Sequence, residues 1–102
     1  MLELRPTCEN CNKALPPDSV EARICSYECT FCATCVATVL ENVCPNCGGG
    51  FTPRPVRPAG EWRPGLSLAK RPARTARHQM EYSWEELGLH IARLRAIPPE
   101  AR

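Results

Sequence analysis

All eight cysteines of this 102-residue chain fall between Cys8 and Cys47. They read Cys8-x-x-Cys11, thirteen residues, Cys25-x-x-x-Cys29-x-x-Cys32-x-x-Cys35, eight residues, then Cys44-x-x-Cys47. A C-x-x-C step aims two thiolates at one ion through a single tight turn, and the N–H groups of that turn offset the sulfur charge. Soft tetrahedral sites of four sulfurs suit zinc, and eight ligands divide into two such sites without remainder. Sites of this kind are closed, so the chemistry they predict is structural rather than catalytic.

Two divisions of the ligands are open. Taken in order, Cys8, Cys11, Cys25 and Cys29 hold one ion and Cys32, Cys35, Cys44 and Cys47 the other, with only Thr30 and Phe31 between two anionic centres. Interleaved, Cys8, Cys11, Cys32 and Cys35 form site one, and Cys25, Cys29, Cys44 and Cys47 form site two. Each ion then ties together remote parts of the chain. His78 and His90 lie outside the cysteine block and are not expected as ligands.

Two other chemistries use this many cysteines. Four disulfides need an oxidising compartment, but Met1–Pro6 lacks the basic stretch and apolar run of a secretory signal. No apolar run approaches the ~18 residues of a membrane span either. The expected location is therefore cytoplasmic, where this spacing reads as metal binding. An iron–sulfur cluster is suggested by Cys29-x-x-Cys32-x-x-Cys35 and Cys44-Pro45, but the last gap is eight residues, against about three in the bacterial ferredoxin run. Two Zn²⁺ ions per chain are the expected cofactors.

The order and spacing resemble the RING-finger cross-brace, with Cys29 where most RING fingers place histidine. Cys29-Thr30-Phe31-Cys32-Ala33-Thr34-Cys35-Val36 and Cys44-Pro45-Asn46-Cys47-Gly48 are similar to the second half of that motif. Leu2-Glu3-Leu4-Arg5-Pro6, Leu15-Pro16-Pro17-Asp18-Ser19 and Glu21-Ala22-Arg23-Ile24-Cys25 resemble a bacterial family of short proteins known only as a domain of unknown function. The resemblance spans roughly residues 1–50 and implies the interleaved ligand sets. It also implies a small metal-stabilised α+β fold of RING-like, treble-clef type. Many RING fingers recruit ubiquitin-conjugating enzymes, commonly through an aliphatic residue between the first two ligands and a basic one after the last. This chain has Glu9-Asn10 and Gly48 there, and no tryptophan in the helix after Cys35. The resemblance therefore implies fold more than ligase activity.

Few elements are available to position these ligands, because eleven prolines and six glycines leave little room for them. Leu2 and Leu4 alternate with polar residues and predict a short strand. Ala22–Cys25 and Glu28–Phe31 predict a hairpin. Val36, Val39, Leu40 and Val43 fall at i, i+3, i+4 and i+7, predicting a two-turn helix. Gly48, after the last ligand, permits a left-handed turn. Three parts are expected: a zinc-binding domain over 1–50, a disordered linker over 51–80 rich in proline and arginine, and an amphipathic C-terminal helix over 81–98. In the last, Ser83-Trp84-Glu85-Glu86 reads as a capping box with Tyr82 and Leu87 as its staple. Trp84, Leu87, Ile91 and Leu94 mark one face, which docks in cis or on a partner.

Charge divides the chain in the same places. Residues 1–50 balance at −3, residues 51–80 at +6 and residues 81–102 at −1, giving the formal +2. Two four-thiolate zinc sites, each at −2, bring the folded chain to about −2. No Ser-His-Asp set, believable carboxylate pair or phosphate-binding glycine loop is present, so an enzyme is not expected. The expected function is a small zinc-binding interaction module whose partner is another protein. A nucleic-acid partner reached through the basic residues 54–77 is the alternative. Neither a membrane nor a small-molecule substrate is expected.

Overall fold

The computed structural model describes all residues from Met1 to Arg102. Its centre is an antiparallel hairpin, β1 (Ala22–Ile24) and β2 (Thr30–Cys32), with Ala22 opposite Cys32 and Ile24 opposite Thr30. The Cys25-x-x-x-Cys29 step forms its turn. The Cys25 N–H bonds the Cys29 carbonyl at 3.2 Å, the Glu28 N–H bonds the Cys25 carbonyl at 3.1 Å, and Glu28 takes φ 68°. The predicted hairpin is therefore present, with its ligands at the turn. A third strand, β3 (Thr52–Pro53), pairs with the free edge of β1, giving the order β2-β1-β3. Proline is tolerated in β3 because it is an edge strand.

Helix α1 (Ala33–Thr38) follows β2 directly. It starts earlier than the apolar spacing predicts because Cys32 caps it, its sulfur accepting the Cys35 N–H at 3.4 Å. It also stops earlier. Glu41 and Asn42 take positive φ (48° and 60°), and the Val39 and Leu40 N–H groups both reach the Cys35 carbonyl. Leu40 and Val43 are fully buried all the same, entering the core from the turn rather than from a helix face.

The strand predicted at Leu2 and Leu4 does not form. Leu4 is buried, but its carbonyl accepts the Arg74 N–H at 2.9 Å, and the Glu3 N–H goes to a Glu28 carboxylate at 3.1 Å. Partners from distant segments satisfy this backbone, so no ladder is needed.

Residues 51–80 carry little regular structure beyond β3, yet they are held against the domain. Arg54 is buried, and its guanidinium donates to the carbonyls of Arg5, Leu15 and Pro16 at 2.8–3.0 Å. The Arg54 N–H extends the sheet to the Ala22 carbonyl, and at the far end the Met80 N–H bonds the Glu9 carbonyl at 2.9 Å. Composition alone describes a solvated linker, but the unpaired carbonyls of a loop-rich domain give its arginines something to bind.

Helix α2 (Trp84–Leu94) begins where the capping box predicts, with Ser83 Oγ accepting the Glu86 N–H at 3.1 Å. Leu87 and Ile91 are buried in the same core as Phe31, Leu40 and Val43, so the helix docks in cis. Leu94 packs half-buried beside them. Trp84, by contrast, remains 69% exposed. It stands one turn ahead of Leu87 and reaches only the rim of a shallow groove with Val39 and Ile91. No helix is long and apolar enough to cross a membrane.

The core is small. Six of its fourteen buried apolar residues are cysteines, and large aliphatic or aromatic side chains supply only seven more. Phe31 and Phe51 meet edge to face at 5.5 Å. Of 39 backbone hydrogen bonds, 14 lie within helices and strands. Loops with few internal bonds dominate such a chain, so cross-links must hold it.

Candidate metal centre

Seven of the eight sulfurs gather in two groups that follow the interleaved arrangement. Those of Cys8, Cys11, Cys32 and Cys35 all lie within 4.8 Å of one another. Sulfurs placed about 2.3 Å from a central zinc stand about 3.8 Å apart along a tetrahedral edge, and the Cys11 and Cys32 sulfurs are 3.8 Å apart. In the second group Cys25, Cys44 and Cys47 lie within 4.8 Å of one another. Cys29, at the other end of the hairpin turn from Cys25, is not within that limit of all three. All eight thiols are free of disulfides.

Each cluster combines one loop with one end of the hairpin. Cys32 closes β2 and Cys35 sits in the first turn of α1, which fixes one pair of the first cluster. Cys8 and Cys11 come from a loop closed by the Cys8 N–H to the Lys13 carbonyl (2.9 Å) and the Asn12 N–H to the Cys8 carbonyl (3.0 Å). In the second cluster, Cys25 and Cys29 bracket the hairpin turn. Cys44 and Cys47 come from a loop closed by the Gly48 N–H to the Cys44 carbonyl (2.8 Å). The two loops share one geometry, since Asn12 and Gly48, each directly after a C-x-x-C pair, take φ 63° and 79°. Asparagine and glycine are the residues that enter this region at least cost.

Sequence reasoning missed two side chains here. Asn10 Nδ2 donates to the Cys35 sulfur at 3.3 Å, and Asn46 Nδ2 donates to the Cys29 sulfur at 3.3 Å. Each asparagine precedes the second cysteine of its loop and reaches a sulfur of the opposite pair. The signal was present as a repeated C-x-N-C at Cys8–Cys11 and Cys44–Cys47. Backbone N–H groups add to it, from Tyr27 to the Cys25 sulfur (3.3 Å) and from Gly49 to the Cys47 sulfur (3.4 Å).

Crowding strains the protonation of these thiols. Burial pushes the Cys35 thiol up to about 12 and raises Cys8. Contact with Cys25 and Cys29, then burial, raises Cys44 well above the thiol range, whereas hydrogen bonds from Cys29 and Cys44 hold Cys25 down at about 3. Backbone hydrogen bonding at Lys13 lowers Cys11. One thiolate can be sheltered by neighbouring protons, but four sulfurs in one cluster ionise together only when a cation replaces those protons.

Neither histidine joins a cluster. His78 pairs with Glu3 at 3.3 Å. His90 on α2 has Nε2 2.9 Å from the Cys44 carbonyl, so it braces the last loop through its backbone rather than through a sulfur. A Cβ at Gly48 would stand 2.9 Å from Leu94 Cδ1. Glycine suits that position through its positive φ, and a Cβ there would also press on the Leu94 side chain of α2. Glu9, between the first two cysteines, is buried and accepts the Thr30 N–H and an Arg5 N–H.

Fold and site together define a small α+β protein with a three-stranded sheet and two cysteine clusters compatible with zinc. Residues 1–57 match the family described as "Protein of unknown function (DUF1272)", and the chain belongs to that family. It is 57% identical over 77 residues to "Uncharacterized protein R02474" of Rhizobium meliloti (strain 1021), covering 76% of this chain and 84% of that protein. No solved structure matches.

Proposed function

We propose that the protein is a RING-like, treble-clef interaction module with two structural zinc ions, which binds another protein in the cytoplasm and is not an enzyme. The observation that carries this reading is the gathering of the Cys8, Cys11, Cys32 and Cys35 sulfurs, remote in sequence, all within 4.8 Å of one another. Cys25, Cys29, Cys44 and Cys47 would form the second site, three of whose sulfurs already lie within 4.8 Å of one another. Four sulfur ligands leave a zinc ion no open position for substrate, which supports a structural role. Residues 1–50 form the zinc domain, 51–80 the linker laid on it, and 81–98 the helical segment.

Burial of the Glu9 carboxylate supports an adaptor over a ubiquitin ligase, because recruiting RING fingers expose an aliphatic side chain at that position. On α2, Trp84 is 69% exposed at the rim of the groove it shares with Val39 and Ile91, and offers apolar surface of the kind protein partners cover. Native mass spectrometry is expected to find two zinc ions per chain, and iron or fewer than two zinc ions would overturn the reading.

The asparagines make a sharper demand on it. Donors to metal-bound thiolates lower their charge and orient them, and losing such a group typically costs about 10–100-fold in metal affinity. Asn10→Ala is expected to weaken site one and Asn46→Ala site two by that order, in separate chelator competitions. Unchanged affinity in both variants would show that these amides merely fill space.

A further inference from the structure

We infer that a cleft between residues 1–4 and the segment 57–74 binds phosphate esters. The inference goes beyond the zinc-module reading, since no cysteine lines the cleft. Its volume is about 360 Å³ and its walls carry four cations, Arg57, Lys70, Arg71 and Arg74, against one carboxylate, Glu3. That carboxylate is already engaged by Arg5 at 3.6 Å and His78 at 3.3 Å. The ion pairs of the molecule involve Arg5, Lys13, His78 and Arg95, so all four cations of the cleft lack an anionic partner.

Uncompensated positive charge on a flexible tether is ordinary, but here the Arg57 guanidinium and the backbone that carries Arg71 and Arg74 are held in place. Arg57 donates to the Leu2 carbonyl at 2.6 Å and the Arg71 carbonyl at 2.7 Å, which fixes its guanidinium across the floor. The Arg74 N–H is tied to the Leu4 carbonyl at 2.9 Å, the Arg71 N–H to the Ser67 carbonyl at 2.8 Å and the Leu68 N–H to the Pro58 carbonyl at 2.8 Å. Like charges brought together on a fixed backbone repel one another, and an anion relieves that repulsion without first having to order the chain. Guanidinium forks match phosphate oxygens two at a time, and Lys70 adds a point charge. The oxygens come either from a free nucleotide or from the backbone of a single-stranded nucleic acid.

Both sources are tested on the zinc-loaded full chain at about 50 mM salt. Inorganic pyrophosphate is titrated by calorimetry, and a labelled thymidine oligonucleotide is followed by anisotropy. Arg71→Glu with Arg74→Glu is expected to weaken binding by about tenfold or more, whereas Arg63→Glu with Arg77→Glu, the same charge change outside the cleft, shifts it by less than about twofold. Pyrophosphate alone binding assigns a free nucleotide. Oligonucleotide binding that falls steeply with added salt assigns a nucleic acid backbone. Should the cleft variant fail to fold, amide shifts of the unaltered protein decide the matter: whichever probe binds must move the N–H signals of Leu4, Arg71 and Arg74. Failure of both probes to bind, equal loss in the two variants, or shifts confined to other residues overturns the inference. Zinc content is measured on the same samples, so a failed zinc assignment is distinguishable from a failed cleft.

Discussion

Stripping the metal with a strong chelator is expected to abolish the cooperative melt of residues 1–50 and to collapse their amide dispersion. The apolar core contributes too little on its own. Seven large aliphatic or aromatic side chains are buried, and a minority of the 39 backbone hydrogen bonds belong to regular elements. Ordering each residue costs about 1.5 kcal/mol, so so few side chains cannot hold some fifty residues. A structural zinc contributes about 10–16 kcal/mol of apparent binding free energy in small finger peptides, and in such modules that is folding free energy. Returning two equivalents of zinc should restore the spectrum, while magnesium should not, because it prefers oxygen ligands.

Single ligands should rank by position. Cys32→Ser removes a buried sulfur that also caps α1 and closes β2, so it is expected to unfold the domain. Cys47 is exposed at the end of its loop, and Cys47→Ser is expected to loosen site two and the seat of α2 while site one keeps its ion. Nuclear magnetic resonance of the two variants with zinc present checks that order. A metal-free protein with the melt and dispersion of the loaded one removes the basis of the zinc reading.

Replacing Arg54 by methionine is expected to destabilise the zinc-loaded protein by about 1–3 kcal/mol, seen as a lower denaturant midpoint. The guanidinium is 4% exposed and donates to the carbonyls of Arg5, Leu15 and Pro16, joining both sides of the first cysteine loop to the end of the sheet. Burial lowers its pKa, yet a guanidinium remains charged throughout the range in which proteins fold. Methionine fills much of the same space but leaves three acceptors without that donor, of which the bond to Leu15 is fully buried, and a buried acceptor left unpaired costs about 1–3 kcal/mol. Lysine should rescue little, since one ammonium cannot span three carbonyls in the plane of a fork. A loss under about 1 kcal/mol in Arg54→Met would show that water serves those carbonyls equally well.

The cysteine spacing marked all eight positions, and the RING resemblance implied the interleaved division that seven of the eight sulfurs follow in space. Local chemistry made the hairpin and the start of α2 legible too, because alternating side chains and a Ser-x-x-Glu cap act within a few residues. Helix α1 was displaced from its predicted span because the apolar spacing of Val36, Leu40 and Val43 is equally served by a turn. What moved the boundary was a sulfur cap at Cys32.

The residue order by itself marked which cysteines could hold metal and where the chain must turn, because ligand spacing and left-handed positions are properties of short segments. Only the tertiary structure decided that Leu2–Leu4 pairs with arginines rather than with a strand, that Arg54 is buried, and that α2 lies on the last cysteine loop. Those outcomes depend on which backbone groups are left unpaired once distant loops have met. Arg54 and Arg57 reach carbonyls 38 to 55 residues away, and a hydrogen bond over that separation leaves no period or motif in the sequence for a reader to find.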